Sequence, residues 1–377
     1  MSTFCRYYDL GVCSSCSQIE VSYDKQLETK EAHCRSLLQG REDLLWLPHL
    51  SSPESRFRNK AKMVVGGTRE TPVLGILKDQ NRVADLTSCP LYPDAMKASF
   101  RPLKEYISES RLVPYNLETR KGELKYIIVT LSQYSGSFMV RFVLRSRESL
   151  GMMKKKLPLL MESLPQVEVV TANIQPVHQA ILEGEEEIIL TERESISMMI
   201  NGLPLHLRPR SFFQTNSHVA SGLYMQARKW VQELDPSAIW DLFCGAGAFA
   251  LHCADGLRDV TGIEISEEAI EGAIQSSKEL SLKRVHFRSM DATGFALDSV
   301  NAPPMVIVNP PRRGIGEELC QYLDASNVRW IIYSSCNTES LLRDVNRMPS
   351  FKLRRAGVLD MFPHTLHYEV ITLLEKK

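Results

Sequence analysis

Residues 206–377 are predicted to form a doubly wound, mostly parallel α/β domain with a Rossmann-like fold. Two observations predict it: short apolar runs alternate with helical stretches, and the first run ends in a turn that carries two glycines. Strands of a parallel sheet are buried on both faces, which favours such continuous apolar runs. The predicted strands are 239–242, 260–263, 285–287, 305–308, 330–333 and 369–374, and helices between them include 267–280 and 339–348.

The turn after the first predicted strand is Asp241-Leu-Phe-Cys-Gly245-Ala-Gly247. Glycine lets the backbone turn sharply and approach a ligand closely. Glu264 closes the next strand, where a carboxylate can accept hydrogen bonds from both hydroxyls of a ribose. Position 250 is alanine, so the third glycine of dinucleotide-binding motifs is absent. S-adenosylmethionine has no pyrophosphate and does not need that glycine. The alternative is an ordinary strand–turn–helix junction.

A cysteine follows another strand of the same domain. Cys336, in Ser334-Ser-Cys-Asn337, comes just after the run 330–333 and is expected at the carboxyl edge of the sheet. A nucleophile beside a cofactor pocket indicates group transfer through a covalent intermediate. An unpaired cysteine at a strand end is otherwise usually a small buried residue. Candidate bases are Glu369, His364 and His367, and residue type alone does not choose among them.

Two further regions are predicted upstream. Residues 93–205 alternate strand-like and helix-like pieces, which predicts a small α+β domain. The runs 126–131 and 138–144 are rich in β-branched and aromatic residues, and Ser135-Gly136 between them suits a hairpin turn. Residues 1–92 form a region with four clustered or proline-flanked cysteines and a basic stretch.

Composition sets limits on the class of protein. The 377 residues include 45 basic and 45 acidic side chains, which argues against a tail-driven nucleic-acid binder but leaves room for a local basic face. The N-terminal residues contain no apolar signal-peptide core, and no apolar run approaches the roughly 20 residues of a membrane helix. We therefore expect a soluble, cytoplasmic protein, in which the nine cysteines are reduced rather than paired in disulfides.

Four of these cysteines form a ligand-like pattern. The spacing C-x7-C-x2-C is followed much later by a cysteine that precedes Pro90. A proline after the last ligand is common at iron–sulfur sites, and zinc also accepts four thiolates, so the spacing leaves both open. The four are Cys5, Cys13, Cys16 and Cys89. The other cysteines outside the catalytic motif, expected to serve packing, are Cys34, Cys244, Cys253 and Cys320.

Several motifs together resemble those of the RNA 5-methyluridine methyltransferases. They are Asp241–Phe249, Asn309-Pro-Pro-Arg-Arg-Gly314, Ser334–Asn337 and the segment 360–369. The resemblance extends to the N-terminal cysteines, covers almost the whole chain and is closest to the short 23S ribosomal RNA (uracil-C5)-methyltransferase type. It implies a class I S-adenosylmethionine-dependent methyltransferase domain at 206–377, preceded by an iron–sulfur region at 1–92 and the α+β domain at 93–205. It also implies that the four cysteines bind a 4Fe–4S cluster.

The resemblance assigns roles to individual residues. Cys336 is implied to be the nucleophile that adds to carbon 6 of uracil, and Glu369 the base that removes the proton from carbon 5. Arg312 stands where methyltransferases of exocyclic amines carry an aromatic residue, which argues against that reaction. Longer relatives carry aspartate where this chain has Asn309. The residues implied to contact the cofactor are Gln214, Phe243, Gly245, Glu264, Asp291 and Asn309.

The implied function is methyl transfer from S-adenosylmethionine to carbon 5 of a specific uridine in 23S ribosomal RNA, a position-747 type site. Alternatives are a uridine of another RNA such as tRNA, a small-molecule methyltransferase, and a non-catalytic iron–sulfur RNA-binding protein. Clusters of basic residues, some with aromatic neighbours, are candidate RNA contacts. They lie at 56–62, 120–125, 141–147 and 154–156.

Overall fold

The structure is a computed structural model that describes residues 3–41, 43–78, 82–178 and 181–377. Its helices are α1 (Arg6–Asp9), α2 (Tyr23–Leu37), α3 (Asp94–Glu109), α4 (Leu150–Ser163), α5 (Ser217–Leu234), α6 (Ala248–Cys253), α7 (Glu267–Glu279), α8 (Ala292–Asp298), α9 (Glu317–Ala325) and α10 (Thr338–Asn346). Its strands are β1 (Leu45–Trp46), β2 (Lys60–Gly67), β3 (Pro72–Leu77), β4 (Val83–Asp85), β5 (Leu124–Leu131), β6 (Phe138–Leu144), β7 (Val167–Ile174), β8 (Glu186–Ile189), β9 (Ile196–Ile200), β10 (Leu203–Leu207), β11 (Ala238–Leu242), β12 (Asp259–Glu264), β13 (Val285–Ser289), β14 (Met305–Val308), β15 (Trp330–Ser335), β16 (Phe351–Leu359) and β17 (Glu369–Lys376).

The chain folds into two compact units, each built from two separate stretches of sequence. The first unit comprises residues 1–15 and 55–199, and the second comprises residues 16–54 and 200–377. This division differs from the three consecutive regions that the sequence suggested. Strands β2, β3 and β4, from the expected cysteine-rich region, share a sheet with the strands of the expected central domain.

The first unit is a seven-stranded sheet with the order β4-β3-β2-β5-β6-β7-β8. Strands β5 and β6 pair antiparallel, which confirms the predicted hairpin, and β6 pairs parallel with β7 after the crossover through α4. Helices α3 and α4 contribute Phe100, Leu103 and Leu160 to a core that includes Ile127 and Val140 of the sheet. The sequence therefore predicted the α+β character of this part correctly.

The second unit contains an eight-stranded sheet with the order β1-β16-β17-β15-β14-β11-β12-β13. Strands β13, β12, β11, β14 and β15 are parallel, and β17 inserts antiparallel between β15 and β16. This confirms the predicted doubly wound fold. The two residues of β1 extend the sheet parallel to β16, so a segment from far upstream completes its edge.

Continuous apolar runs explain the central strands. All four residues of β14 and all six of β15 are buried. Val306, Val308 and Tyr333 pack against Leu319 and Leu323 of α9. Burial of each such side chain stabilises the fold by roughly 1.5–3 kcal/mol, which favours this arrangement over a solvent-exposed sheet face. Within the described part of the chain, no helix is both long and apolar enough to span a membrane.

Candidate active site

A cavity of about 580 Å³ lies beyond the carboxyl ends of β11 and β14, where the strand order of the second unit reverses. Doubly wound folds bind their ligands at this reversal point, and the volume is within the range of small-molecule sites. The cavity brings together the residues that the sequence proposed for the cofactor and for catalysis. Those that line it are Gln214, Phe243, Gly245, Glu264, Asp291, Asn309, Cys336 and Glu369.

The turn after β11 forms one wall of the cavity. Phe243, Gly245 and Gly247 all have positive φ angles, of 64°, 53° and 77°. A Cβ atom at Gly247 would lie 2.6 Å from the ring of Phe287 and 3.1 Å from Ala273, so only glycine fits there without displacement of its neighbours. Gly247 then begins α6, which directs backbone N–H groups towards the turn.

Glu264 ends β12 beside this turn. Its Oε2 accepts a hydrogen bond from the N–H of Gly245 over 3.2 Å, and its Oε1 accepts one from the N–H of Ser266 over 3.1 Å. These bonds hold the carboxylate against the glycine turn. Each carboxylate oxygen retains a further lone pair that can accept a hydroxyl group from a ligand.

Asp291, Gln214 and Asn309 reach the cavity from three other elements. Asp291 caps α8, where its Oδ1 accepts a hydrogen bond from the N–H of Gly294 over 2.8 Å. Gln214 is buried and precedes Asn216, the residue that caps α5. Asn309 follows the last residue of β14. Asp291 thus both caps α8 and lines the cavity.

Strand pairing brings Cys336 and Glu369 towards each other. The antiparallel register of β15 and β17 joins Ser334 to Ile371 and Ser335 to Val370. One step further along this register, Cys336 is opposite Glu369. The Oγ of Ser334 donates a hydrogen bond to Oε1 of Glu369 over 2.6 Å. Side chains two residues apart share a face of a strand, so Ser334 and Cys336 both face the carboxylate.

Burial shifts the titration of both groups. Burial raises the pKa of Glu369 to about 7, against the opposing effect of the hydrogen bond from Ser334. Burial and the charge of Glu369 raise the pKa of the Cys336 thiol, whereas the guanidinium of Arg312 lowers it through its charge and a hydrogen bond. A carboxyl group with a pKa near 7 is suited to proton transfer at neutral pH.

The two histidines considered as bases lie outside the cavity. His364 is buried, and its Nε2 is 2.7 Å from the carbonyl oxygen of Glu54. The N–H of His364 donates to Oε1 of Gln26 over 2.8 Å. His367 is exposed and contacts the ring of Phe362. The geometry therefore favours the carboxylate over either imidazole as the group next to Cys336.

The segment before β17 is anchored by residues from the other end of the chain. Nζ of Lys30 donates to Oδ1 of Asp360 over 2.6 Å and to the carbonyl oxygen of Phe362 over 3.1 Å. The hydroxyl of Tyr23 donates to Oδ2 of Asp360 over 2.8 Å. Phe362 lines the cavity, so α2 helps to set one of its walls.

Three residues of this site have no role that the sequence predicts. Arg312 is informative in the sequence only because no aromatic residue occupies its position, although it interacts with Cys336. Ser334 and Phe362 belong to the motifs of the family but have no predicted function. Only Arg312 could have been given a role from its residue type, since a cation near a predicted cysteine nucleophile favours the thiolate.

The cysteines of the ligand-like pattern are not among the residues that line this cavity. Within the first unit, burial raises the pKa of Cys89 to about 11, and the charges of the Cys5 and Cys13 thiols add to the rise. All nine cysteines are free thiols. In the described ranges, no group of three or more His, Cys, Asp or Glu residues is arranged to hold a metal ion. The cysteines expected to serve packing, Cys34, Cys244, Cys253 and Cys320, are buried.

One basic segment differs from the expectation of RNA contact. Arg141 is only 1% exposed and forms ion pairs with Glu183 and Glu187. Its bonds to Glu187 join β6 to β8, so it stabilises the sheet of the first unit. Arg145 likewise pairs with Glu123 over 2.7 Å. A buried guanidinium paired in this way has no group left for phosphate, so Arg141 is structural, whereas Arg147 of the same segment is 69% exposed.

The fold and the cavity define an S-adenosylmethionine-dependent methyltransferase. Residues 22–377 match the model of the tRNA (Uracil-5-)-methyltransferase family. The chain belongs to this family.

Relatives across the whole length agree with this assignment. The 23S rRNA (uracil(747)-C(5))-methyltransferase RlmC of Xenorhabdus bovienii is 50% identical over 370 residues, 98% of this chain and 98% of the relative. The protein of the same name from Pectobacterium carotovorum is 50% identical over 373 residues, 99% of each chain. The crystal structure of the Pyrococcus abyssi tRNA (uracil-54, C5)-methyltransferase in complex with S-adenosyl-L-homocysteine superposes with a TM-score of 0.79 at 25% identity, covering 95% of this chain and 85% of that one.

Proposed function

We propose that this enzyme methylates carbon 5 of a uridine in 23S ribosomal RNA, at the site that corresponds to uridine 747 in its relatives. The proposal is supported by the relatives named 23S rRNA (uracil(747)-C(5))-methyltransferase RlmC, which are 50% identical over 98–99% of the chain. The observation that carries the chemistry is the cross-strand position of Cys336 and Glu369 within one cofactor-sized cavity. Because the substrate is ribosomal RNA, we also place the enzyme in the cytoplasm.

S-adenosylmethionine supplies the methyl group when it is bound in the cavity. We assign its ribose to Glu264, because that carboxylate has free lone pairs beside the glycine turn. Asp291 is assigned to the adenine amine. Gln214 is assigned to the methionine end of the donor, as the family resemblance implies. Phe243 and Gly245 form the part of the cavity wall that the glycine turn contributes. The amide of Asn309 can donate and accept hydrogen bonds, either with S-adenosylmethionine or with the uracil.

Cys336 is proposed to begin the reaction. Carbon 5 of uracil is a poor nucleophile, but addition of a thiolate at carbon 6 moves the electron pair of the double bond towards carbon 4 and its oxygen. The thiol of Cys336 first gives its proton to solvent, and Arg312 favours the resulting thiolate. The enolate then forms a bond from carbon 5 to the methyl group as the sulfur–methyl bond of the donor breaks, which leaves S-adenosylhomocysteine.

Glu369 is proposed to end the reaction. Its carboxylate removes the proton from carbon 5, the double bond between carbons 5 and 6 re-forms, and the carbon 6–sulfur bond breaks to return the thiolate of Cys336. A base with a pKa of about 7 accepts this proton at neutral pH and loses it again to solvent. Without the base, the methylated RNA stays attached to the protein.

A 4Fe–4S cluster is proposed for Cys5, Cys13, Cys16 and Cys89. Thiolates are the ligands that such clusters take in proteins. Charge on Cys5 and Cys13 adds to the effect of burial on the pKa of Cys89, which supports a shared site for these three cysteines. The cluster would tie the N-terminal residues to the loop around Cys89, and the catalytic steps above do not involve it.

The RNA is proposed to contact exposed basic side chains of the first unit. Arg56 and Lys62 are both about half exposed or more, at 66% and 46%. Lys154 and Lys155 are also exposed. The target uridine must leave its base stack to reach Cys336, so an unpaired loop nucleotide would cost least to extrude.

The experiment that tests this function compares ribosomal RNA from cells with and without the gene. We expect the strain that lacks the protein to lose one 5-methyluridine of 23S RNA, mapped by mass spectrometry of RNA fragments. Purified enzyme with labelled S-adenosylmethionine should restore it. The Pyrococcus relative acts on tRNA, so methyl incorporation into tRNA, with unchanged 23S RNA, would assign the enzyme to that alternative.

A further inference from the structure

Ser334 contacts the proposed base directly, yet the chemistry above does not use it. We propose that Ser334 is a positioning residue, whose hydroxyl holds the Glu369 carboxylate so that Oε2 is directed at the carbon-5 proton. The inference rests on the proposed role of Glu369 as the base. The hydrogen bond from Oγ of Ser334 to Oε1 of Glu369 is 2.6 Å long, and the two residues are 0% and 2% exposed.

The strand geometry gives Ser334 this position. In β15, side chains alternate between faces, so Tyr333 and Ser335 point away from the face shared by Ser334 and Cys336. Tyr333 belongs to the hydrophobic core, and the hydroxyl of Ser335 donates to the carbonyl oxygen of Asn337 over 2.9 Å. Ser334 is therefore the hydroxyl of β15 that faces Glu369.

The site does not need serine for packing. Ser334 follows four apolar or aromatic residues of a fully buried strand, where an aliphatic side chain would add hydrophobic stabilisation. A buried hydroxyl is unfavourable unless it forms a hydrogen bond. Here its bond goes to a carboxylate, which is stronger than a bond between neutral groups and fixes the orientation of the carboxylate plane.

The same bond affects the protonation of the base. Charged and titratable groups near Glu369 are Cys336 at the end of β15 and Tyr224 of α5, and Arg312 interacts with the thiol of Cys336. A donated hydrogen bond favours the ionised carboxylate against the effect of burial. Without it, the pKa of Glu369 would rise, and less base would be present at neutral pH.

The test measures single-turnover reactions of the full-length enzyme with a 23S RNA transcript at pH 5.5 to 9. Labelled methyl in RNA reports transfer, and the fraction of RNA that stays attached to protein on a denaturing gel reports release. We compare wild type with S334A, with S334T, which keeps the hydroxyl, and with E369Q. T372V is the matched control, since Thr372 is a buried hydroxyl on β17 that donates to the carbonyl oxygen of Tyr333 over 3.1 Å.

For S334A, we expect the pH profile of release to move upward by about one unit and release at pH 7 to slow by about fivefold. Methyl transfer before release should stay close to that of wild type. S334T and T372V should keep the wild-type profile. Suppose that E369Q accumulates the adduct as expected. The role of Ser334 is then overturned if the pH profile of release by S334A is identical to that of wild type, or if its rate of release is lower by the same factor at every pH. If E369Q accumulates none, the base assignment itself fails, and the role of Ser334 fails with it.

Discussion

Replacing Lys30 with methionine is expected to destabilise the second unit. The side chains of Lys30 and Asp360 are 2% and 0% exposed and form an ion pair of 2.6 Å. Methionine keeps most of the volume of lysine but removes the ammonium. Asp360 then stays buried with the Tyr23 hydroxyl as a donor, over 2.8 Å, but without its cation.

The magnitude follows from the cost of an uncompensated buried charge. Removal of one partner of a buried ion pair typically costs about 3–5 kcal/mol. The hydrogen bond from Tyr23 to Asp360 remains, so the loss of unfolding free energy should be near the lower end of this range. The double variant Lys30→Met with Asp360→Asn removes both charges and keeps an acceptor for Tyr23, so it should recover most of the loss. Such neutral replacements of a buried pair are often close to neutral in stability.

Urea unfolding followed by tryptophan fluorescence measures this effect selectively. All four tryptophans belong to the second unit, at positions 46, 230, 240 and 330. A loss of 3–5 kcal/mol should lower the urea midpoint by roughly 1–2 M. Methyl transfer should also slow, because the carbonyl oxygen of Phe362 loses its bond to Lys30.

The matched control is Lys25→Met on the same helix. Lys25 pairs with Glu28 over 2.9 Å, but both side chains are 65% exposed, so the change should cost at most about 1 kcal/mol. Equal midpoints for the Lys30 and Lys25 variants would refute the reasoning. So would a double variant that is no more stable than Lys30→Met alone.

The remaining predictions concern the chemistry and the cluster. Cys336→Ala should abolish turnover while S-adenosylmethionine still binds in calorimetry, and wild type should form a covalent adduct with 5-fluorouridine RNA; an active alanine variant would remove Cys336 as nucleophile. Glu369→Gln should stall after methyl transfer and accumulate an adduct on unmodified RNA, an outcome that His367→Ala should not share. Since burial raises the pKa of Glu369 to about 7 and the base acts when ionised, release by wild type should fall about tenfold per unit well below pH 7; a flat profile in rapid-quench measurements would contradict this. Anaerobically purified protein should be brown with about four irons per chain, whereas colourless protein that contains one zinc would show that the site binds zinc instead of the cluster. Substitution of any ligand should lower the soluble yield, and Cys34→Ala should not. The ligands to substitute are Cys5, Cys13, Cys16 and Cys89.

The sheet, the glycine turn and the position of Cys336 were predictable from the sequence because local rules govern them, whereas the choice of Glu369 as base came from the family resemblance. A strand buried on both faces, such as β14, requires a continuous apolar run. Parallel strands end at one edge of a sheet, so Gly245 and Glu264 could be placed together before the structure was known. The cysteine after β15 belonged at the same edge by the same rule.

Strand β16, which lies between β1 and β17, was not predicted, and its charges explain why. Lys352, Arg354 and Arg355 interrupt the apolar pattern of Phe351–Leu359. They form ion pairs with Asp43, Glu375 and Glu233, which lie outside the segment. The local sequence does not show these partners, so the three charges argue against a buried strand.

The interleaved units could not be predicted either. Nothing near Lys30 in the sequence indicates that its partner is 330 positions away, because an ion pair between distant segments has no local period. The bond between Ser334 and Glu369 likewise depends on the register of β15 with β17, which only the folded sheet determines.

The anchoring of residues 16–54 has a consequence for synthesis on the ribosome. This segment is translated early, but it contacts β16 through β1 and Asp360 through α2, and those partners are translated near the end. The early segment must wait, with its apolar side chains exposed, until nearly the whole polypeptide has emerged. Contacts of such large sequence separation form slowly, and unfinished chains with exposed apolar surface are prone to aggregate. A nascent chain that stalls before residue 351 would lack β16, β17 and Glu369 together. Completion of this sheet and synthesis of the proposed base are thus the same event, so a chain that lacks β17 has no Glu369 to carry out the proposed release step.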